Sequence, residues 1–379
     1  MRVAINGWFW EHHTGSGQYT RHLLAHLVRL APEHEFILVT PDEHLRITDP
    51  EQCAWHPTDT PQGQRRPGLH KVWFEQVTFP RACSHLKADL AHVPYWGSPL
   101  SPSVPTAVTI HDIIPLILPA YRGNALVRTY TGLVESAAAK ASLILTDSEA
   151  SRRDILAHLG VADEQVRVVY LATDPAYSPQ VEETDHAIRA GYGLPEAYVL
   201  YLSGFDVRKN LLGLLQMWTF AENVLGETTP LVIGGRLPDH SPFTPDPRVL
   251  AQALEIDPDS LCFPGLIQEA HKPAIYRGAA CFVFPSTYEG FGLPPLEAMS
   301  CGVPVVGSDA SSIPEVVGDA GILVDPEDVR GMAGGLIAIV TEPETRAMLS
   351  QRALAQVAQF SWERTARDTL AAYDLAMAQ

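Results

Sequence analysis

The chain predicts two α/β units, each built on a parallel sheet. Three observations carry that expectation. Its 379 residues are more than one ordinary core organises. Short apolar runs alternate with helical patterns, and the whole alternation occurs twice. Between the two series lies Ala172-Thr173-Asp174-Pro175-Ala176-Tyr177-Ser178-Pro179, whose prolines and lack of apolar periodicity suit an interdomain linker.

In the first series the strands are expected at Arg2–Asn6, Glu35–Val39, Leu90–His92, Thr106–Ile110, Leu143–Thr146 and Val166–Val168. Each is a short, apolar run, as a strand buried on both faces should be. Helices are expected at Gly17–Leu30, Val72–Leu86, Asn124–Lys140 and Glu149–Leu159. The second series places strands at Tyr198–Leu202, Pro230–Ile233, Leu261–Phe263, Cys281–Phe284 and Pro304–Gly307. A helix from Leu293 to Met299 follows, with proline tolerated in its first turn. From Ser361 onward the pattern is helical, with Trp362, Ala366, Leu370 and Tyr373 on one stripe. The expected boundaries are 1–175 for the first domain and 180–361 for the second, with the helix at 362–379 added to the first.

Composition narrows the function. Hydrophobic residues make up 46% and charged residues 19%, which describes a folded globular protein. A formal charge of −17 with no long basic run argues against a nucleic-acid partner. It also disfavours adsorption to anionic lipid, although a local basic face would survive the average. Arg65-Arg66 and His70-Lys71 are candidates for such a face, or are ordinary loop charges. The five cysteines lack paired spacing, and Cys281 and Cys301 lie in apolar segments as core residues. With no secretory signal and no apolar stretch of spanning length, the expectation is a cytoplasmic protein, at most peripheral to the inner face of a membrane.

Four constellations carry chemistry. The segment Pro285 to Glu297 sets Glu289 and Glu297 eight residues apart, with two glycines and a Pro-Pro pair between. Glu289 falls on the loop leaving a strand, and Glu297 about one turn into a helix. The N–H groups of Phe291, Gly292 and Leu293 lie between them, where a helix start favours an anion. A carboxylate on each side of an anion site suits a nucleotide-sugar: ribose, diphosphate, hexose. Read alone, the two acids also fit a solvated loop and a helix surface. Thr14-Gly15-Ser16-Gly17 follows a strand and opens a helix, as a phosphate- or sugar-contacting loop does, or as a simple turn does. His111-Asp112 caps the carboxyl end of a strand. That is a site position in an open sheet, or a locally satisfied histidine beside a turn-capping acid. Arg208-Lys209 opens a helix against its dipole, which points to a shared anion, or the two are solvated charges.

These segments resemble the retaining glycosyltransferases of family 4. The Glu289 to Glu297 block matches that family's Glu-x7-Glu motif. The likeness continues through Ala298 to Val306, Ser312-Ile313-Pro314-Glu315-Val316-Val317-Gly318, Phe360-Ser361-Trp362-Glu363, His111-Asp112-Ile113-Ile114-Pro115 and Arg208-Lys209-Asn210-Leu211. It spans nearly the whole chain. It implies the GT-B fold, with two Rossmann-like domains facing across a cleft and a last helix crossing back to the N-terminal, acceptor-side domain.

The resemblance also implies roles. His111 and Glu289 would hold the donor sugar, and Asp112 would stand beside it. Arg208, Lys209 and the Phe291, Gly292 and Leu293 amides would stabilise the departing diphosphate. Glu297 would bind the ribose, and Gly15 and Gly17 would lie beside the diphosphate and acceptor. Loops at Gly234-Gly235 and Gly265-Leu266-Ile267 would edge the base. Some relatives carry an arginine soon after the glycine where this chain has Phe205, so Lys209 is the firmer assignment and Arg208 the second cation. No resident cofactor and no metal site are expected, because the nucleotide-sugar is a co-substrate.

The pattern is most similar to mannosyltransferase-type members of bacterial surface-polysaccharide synthesis. The expected reaction moves mannose from GDP-mannose to a hydroxyl of a glycan or lipid-linked glycan. UDP- and dTDP-sugars stay open, since no residue fixes the base. Two other classes compete: a nucleotide-sugar epimerase or hydrolase of the same architecture, and a non-catalytic nucleotide-sugar sensor. The sensor would be expected to lose part of the Lys209, Glu289, Glu297 and His111 set.

Overall fold

The computed structural model describes residues 1–12, 14–41, 53–58, 67–239 and 241–378. The chain forms two compact units, Met1–Leu171 with Ser361–Gln379, and Ala172–Phe360.

The first unit holds a parallel sheet of β1 (Arg2–Asn6), β2 (Glu35–Thr40), β3 (Ala54–Pro57), β4 (Leu90–Val93), β5 (Thr106–Thr109), β6 (Leu143–Thr146) and β7 (Val166–Val168). Their spatial order is β3-β2-β1-β4-β5-β6-β7. Val3 pairs with Phe36 on one side and Leu90 on the other. The chain steps outward from β1 to β3, then returns to lay β4 on β1's other flank. The order therefore reverses between β1 and β4, and in open α/β sheets ligands bind at such a reversal.

The second unit repeats the plan with β8 (Tyr198–Leu202), β9 (Leu231–Gly234), β10 (Leu261–Gly265), β11 (Ala279–Phe284), β12 (Val305–Ser308) and β13 (Gly321–Val324), in the order β10-β9-β8-β11-β12-β13. Here the reversal lies between β8 and β11. Both faces of this sheet are covered. Along β8, Val199 and Tyr201 join the core with Leu214 and Trp218, while Tyr198 and Leu200 join the opposite core with Tyr276 and Phe282. That is the two-residue period of a strand with helices on each side.

Several elements differ from expectation. β3 and β13 were not foreseen: β3 reads Ala-Trp-His-Pro, without a continuous apolar run, and β13 opens on a glycine. The helix expected at Val72–Leu86 begins at Pro67 and changes character midway. Pro67–Trp73 and Phe79–His85 are α-helical, but Phe74–Thr78 is a π turn. Arg208 and Lys209 do not open a helix. They lie in a 3-10 turn, and the next helix, Leu211–Leu225, is capped by Asn210. The segment Ala172–Pro179 packs on the second unit, with Thr173 bonded to Ser300 (2.9 Å) and the Tyr177 ring edge-on to Tyr276.

The last helix, Trp362–Met377, lies on the first unit. Trp362 stacks on His22 at 4.9 Å, and Tyr373 shares a 2.7 Å hydrogen bond with His92 of β4. Among the described residues, no helix is long and apolar enough to cross a membrane. Arg65 and Arg66 lie outside the described residues. His70 and Lys71 make no free basic face: His70 packs on Trp8, and Lys71 pairs with Glu75.

Candidate active site

At the reversal point of the second unit, three charged side chains meet. The turn after β8 delivers Arg208 and Lys209, and the loop after β11 delivers Glu289. Lys209 Nζ donates to Glu289 Oε1 at 2.6 Å, and Arg208 Nη1 donates to Oε2 at 2.5 Å. Ser286 Oγ adds a 2.6 Å bond to Oε1. Asp206 braces Arg208 from behind at 3.2 Å. Lys209 and Glu289 are both buried. Burial opposes ionisation of Glu289, but Lys209 and Arg208 outweigh it and hold its pKa below the ordinary carboxylate value. Burial weighs more heavily on Lys209, whose pKa falls although Glu289 faces it. Lys209 also lies 5.1 Å over the Phe284 ring.

The loop carrying Glu289 is fixed by serines. Ser311 and Ser312 hydroxyls donate to the Glu289 carbonyl at 2.5 and 2.9 Å, and Ser312 reaches the Phe291 carbonyl at 2.6 Å. Gly292 then caps the helix Leu293–Ser300 with φ +118°, where a Cβ would stand 3.1 Å from Ile313. Only glycine holds that turn without strain.

Glu297, on this helix, has different neighbours from Glu289. Its Oε2 accepts from Tyr276 at 2.9 Å. Burial raises its pKa to about 7, against the pull of Lys272 and the Tyr276 hydroxyl. Phe205, where some relatives carry an arginine, is buried and stacks on Tyr201, so it contributes packing. Gly235 and Gly265 both hold positive φ and are joined by a 2.9 Å backbone bond.

In the first unit, His111 follows β5. Its Nδ1 donates to Asp147 Oδ2 at 2.7 Å, and the Tyr19 ring lies edge-on at 4.9 Å. Burial disfavours the charged imidazole, but Asp147, with Asp112 behind it, outweighs this and the pKa rises. Nε2 is buried without a hydrogen-bond partner among the described residues. The orienting acid is Asp147, not the sequence neighbour Asp112, whose Oδ1 accepts from Ile114 N and caps a turn. Asp147 follows the apolar run of β6, so the strand-end logic that singled out His111 would also have found it. Gly17 is sterically required, since a Cβ there would lie 2.1 Å from the His12 carbonyl, whereas Gly15 has open space.

Each unit thus sets charged or polar side chains at the strand carboxyl ends beside its reversal point, where open α/β sheets bind ligands. Residues 13–177 match the family described as Glycosyltransferase Family 4, and residues 186–356 match Glycosyl transferases group 1. The O-antigen chain mannosyltransferase B of Escherichia coli is 35% identical over 70% of this chain and 69% of its own. The serotype-specific mannosyltransferase WbdA of Escherichia coli is 29% identical over 69% of this chain, which spans about a third of WbdA. The MMP alpha-(1->4)-mannosyltransferase of Mycolicibacterium hassiacum is 27% identical across the full chain. Among solved structures, sucrose-phosphate synthase from Thermosynechococcus elongatus superposes with a TM-score of 0.77 at 22% identity, covering 100% of this chain and 99% of that one. WaaG, a glycosyltransferase of lipopolysaccharide biosynthesis, gives 0.70 at 16%, covering 98% and 99%. The chain belongs to the group 1/family 4 glycosyltransferases, and its fold is GT-B.

Proposed function

We propose that this glycosyltransferase moves mannose from GDP-mannose to a hydroxyl of a glycan or lipid-linked glycan, with retention at the anomeric carbon. The observation that carries the reading is the buried Arg208–Glu289–Lys209 cluster at the β8/β11 reversal point. A diphosphate entering there meets two cations already fixed, Lys209 buried and Arg208 partly so, so charge developing on the leaving group is stabilised with little reorganisation. Released from part of that pairing, Glu289 accepts hydrogen bonds from the sugar hydroxyls. Glu297 accepts from the ribose diol, and His111 contacts the donor sugar, the role that the resemblance implies for it.

Retention by double displacement needs a carboxylate within covalent reach of the anomeric carbon. Glu289 is instead committed to two cations and a serine, which suits a sugar-binding role. The chemistry is then same-face attack. The glycosidic C–O bond breaks as the acceptor oxygen bonds to the anomeric carbon, and the leaving phosphate oxygen takes the acceptor's proton. Mannose follows from the relatives' mannosyltransferase names; GDP is our first choice of nucleotide, and the chain's own residues leave the base open.

One arrangement favours a second reading. His111, oriented by Asp147 and with Nε2 unpartnered, has the form of a general base, and a base opposite the leaving group would give inversion. Product NMR separates the two: an α-linked product from GDP-α-mannose supports retention, and a β-linked one makes His111 the base. A thermal-shift panel of GDP-, UDP- and dTDP-sugars tests the donor, because the preferred ligand raises the melting temperature most. A larger shift with a UDP-sugar would replace GDP-mannose.

A further inference from the structure

The first unit has its own lysine–glutamate pair at its own reversal point, between β1 and β4. Glu75 sits in the π turn Phe74–Thr78 and is fully buried. Lys71 Nζ lies 2.7 Å from its Oε1, and the Tyr130 hydroxyl donates to both carboxylate oxygens at 3.0 and 3.1 Å. Lys71 also hydrogen-bonds Tyr130. Its ammonium stands 4.4 Å over the Tyr130 ring, 5.0 Å over Tyr95 and 5.7 Å from Phe9. Tyr95, two residues past β4, donates to Asn6 Oδ1 at the end of β1 (3.2 Å).

Three features set this apart from an ordinary internal ion pair. Single π turns recur at functional sites. Gly97 lets the loop after β4 close against the pair, since a Cβ there would lie 2.5 Å from Glu75 Oε1 and 2.3 Å from the Tyr95 ring. Asn6 is 1% exposed, yet its Nδ2 has no hydrogen-bond partner among the described residues. A buried amide donor left unpaired is costly unless something satisfies it. Lys71, by contrast, keeps about a fifth of its side chain open (21%).

We propose that the β1/β4 reversal point binds an uncharged pyranose ring of the acceptor. Lys71 Nζ donates to ring hydroxyls, and the partly exposed Phe9 ring packs on the sugar's C–H face. Glu75 positions Lys71 and Tyr130 without touching the sugar. The ligand is neutral because Glu75 already balances the Lys71 charge, which leaves no net attraction for a phosphate or carboxylate. The inference deepens the proposed transfer to a glycan and rests on that reading.

The test is saturation-transfer NMR on the full chain, with methyl α-D-mannopyranoside as the neutral probe and mannose 6-phosphate as the anionic one. The native chain should bind the methyl mannoside, and Lys71→Met should weaken binding about tenfold, the loss of one charge-assisted hydrogen bond. Lys71→Arg should recover part of it. Tyr130→Phe provides a second route should Lys71→Met not fold, and should also weaken the probe. The thermal shift with GDP, read in parallel, should be unchanged in each variant. No transfer to the methyl mannoside in the native chain, tighter binding of mannose 6-phosphate, or variants as good as native would each overturn the subsite. No thermal shift of the native chain with GDP, UDP or dTDP would instead count against the nucleotide-sugar transfer reading on which the subsite rests.

Discussion

At Glu297, burial and hydrogen bonding oppose each other, and the balance falls near neutrality. With a pKa raised to about 7, the side chain is mostly protonated below that pH and mostly ionised above it. Only the carboxylate accepts two hydrogen bonds from a ribose diol, so nucleotide affinity should climb as pH rises through 7. Glu297→Ala should abolish that climb and weaken GDP by about 1.5–3 kcal/mol per bond removed. Calorimetric titration across this pH range checks both, and a flat profile in the native chain would refute the ribose role. The same shift affects folding with the opposite sense. A carboxyl that holds its proton more tightly when folded loses stabilising effect as pH rises from the ordinary carboxylate range towards 7.

Lys209 invites a different measurement. In the free chain its charge is spent on Glu289, and diphosphate charge grows as the glycosidic bond breaks. Lys209→Ala should therefore lower kcat more than it raises the donor KM. A raised KM with intact kcat would make Lys209 a ground-state binder only. Much of this cluster was legible in sequence because Arg208, Lys209 and Glu289 all follow apolar runs. The link between His111 and Asp147 was not, since the two are 36 residues apart and only the pairing of β5 with β6 brings their strand ends together.

Among elements, the start of the helix Gly15–Leu30 shows how a single close contact selects a residue. Thr14 caps that helix through Gly17 N, and Arg21 ties back to the Trp10 and His12 carbonyls. Gly17 is the point of closest approach. Gly17→Ala should cost roughly 1–3 kcal/mol by overpacking, whereas Gly15→Ala, into open space, should be near neutral. Paired denaturant melts of the two variants check the contrast, and equal costs would contradict it. Periodicity located this helix to within two residues. It missed the π turn at Phe74–Thr78, because the apolar spacing there reads as a plain helix and the widening depends on what Glu75 meets across the fold. β3 and β13 escaped for a simpler reason: Ala54–Pro57 reads Ala-Trp-His-Pro, with no continuous apolar run, and Gly321–Val324 opens on a glycine.

For the molecule as a whole, two parallel sheets were readable from the doubled alternation. The charge arrangement bears on cofactor use. On the proposed reading, Arg208 and Lys209 at the reversal point would partner the diphosphate's charge, and we expect transfer to continue in excess chelator. Activity lost in chelator and restored by magnesium or manganese would contradict this. Any such assay should hold ionic strength constant, because screening weakens exposed charge contacts far more than buried ones.

The first unit is discontinuous in the chain, and that sets an order of assembly during synthesis. Its residues emerge first, yet the helix that covers His22 and meets His92 is made only after all of the second unit has been synthesised. The later-made unit, Ala172–Phe360, is continuous and has every strand of its sheet in hand before the earlier one can close. The usual sequence, in which the amino-terminal domain matures first, is thus inverted at its last step. Until then, the buried face around Tyr19, Thr109 and His92 stays open to the chaperones that meet nascent chains.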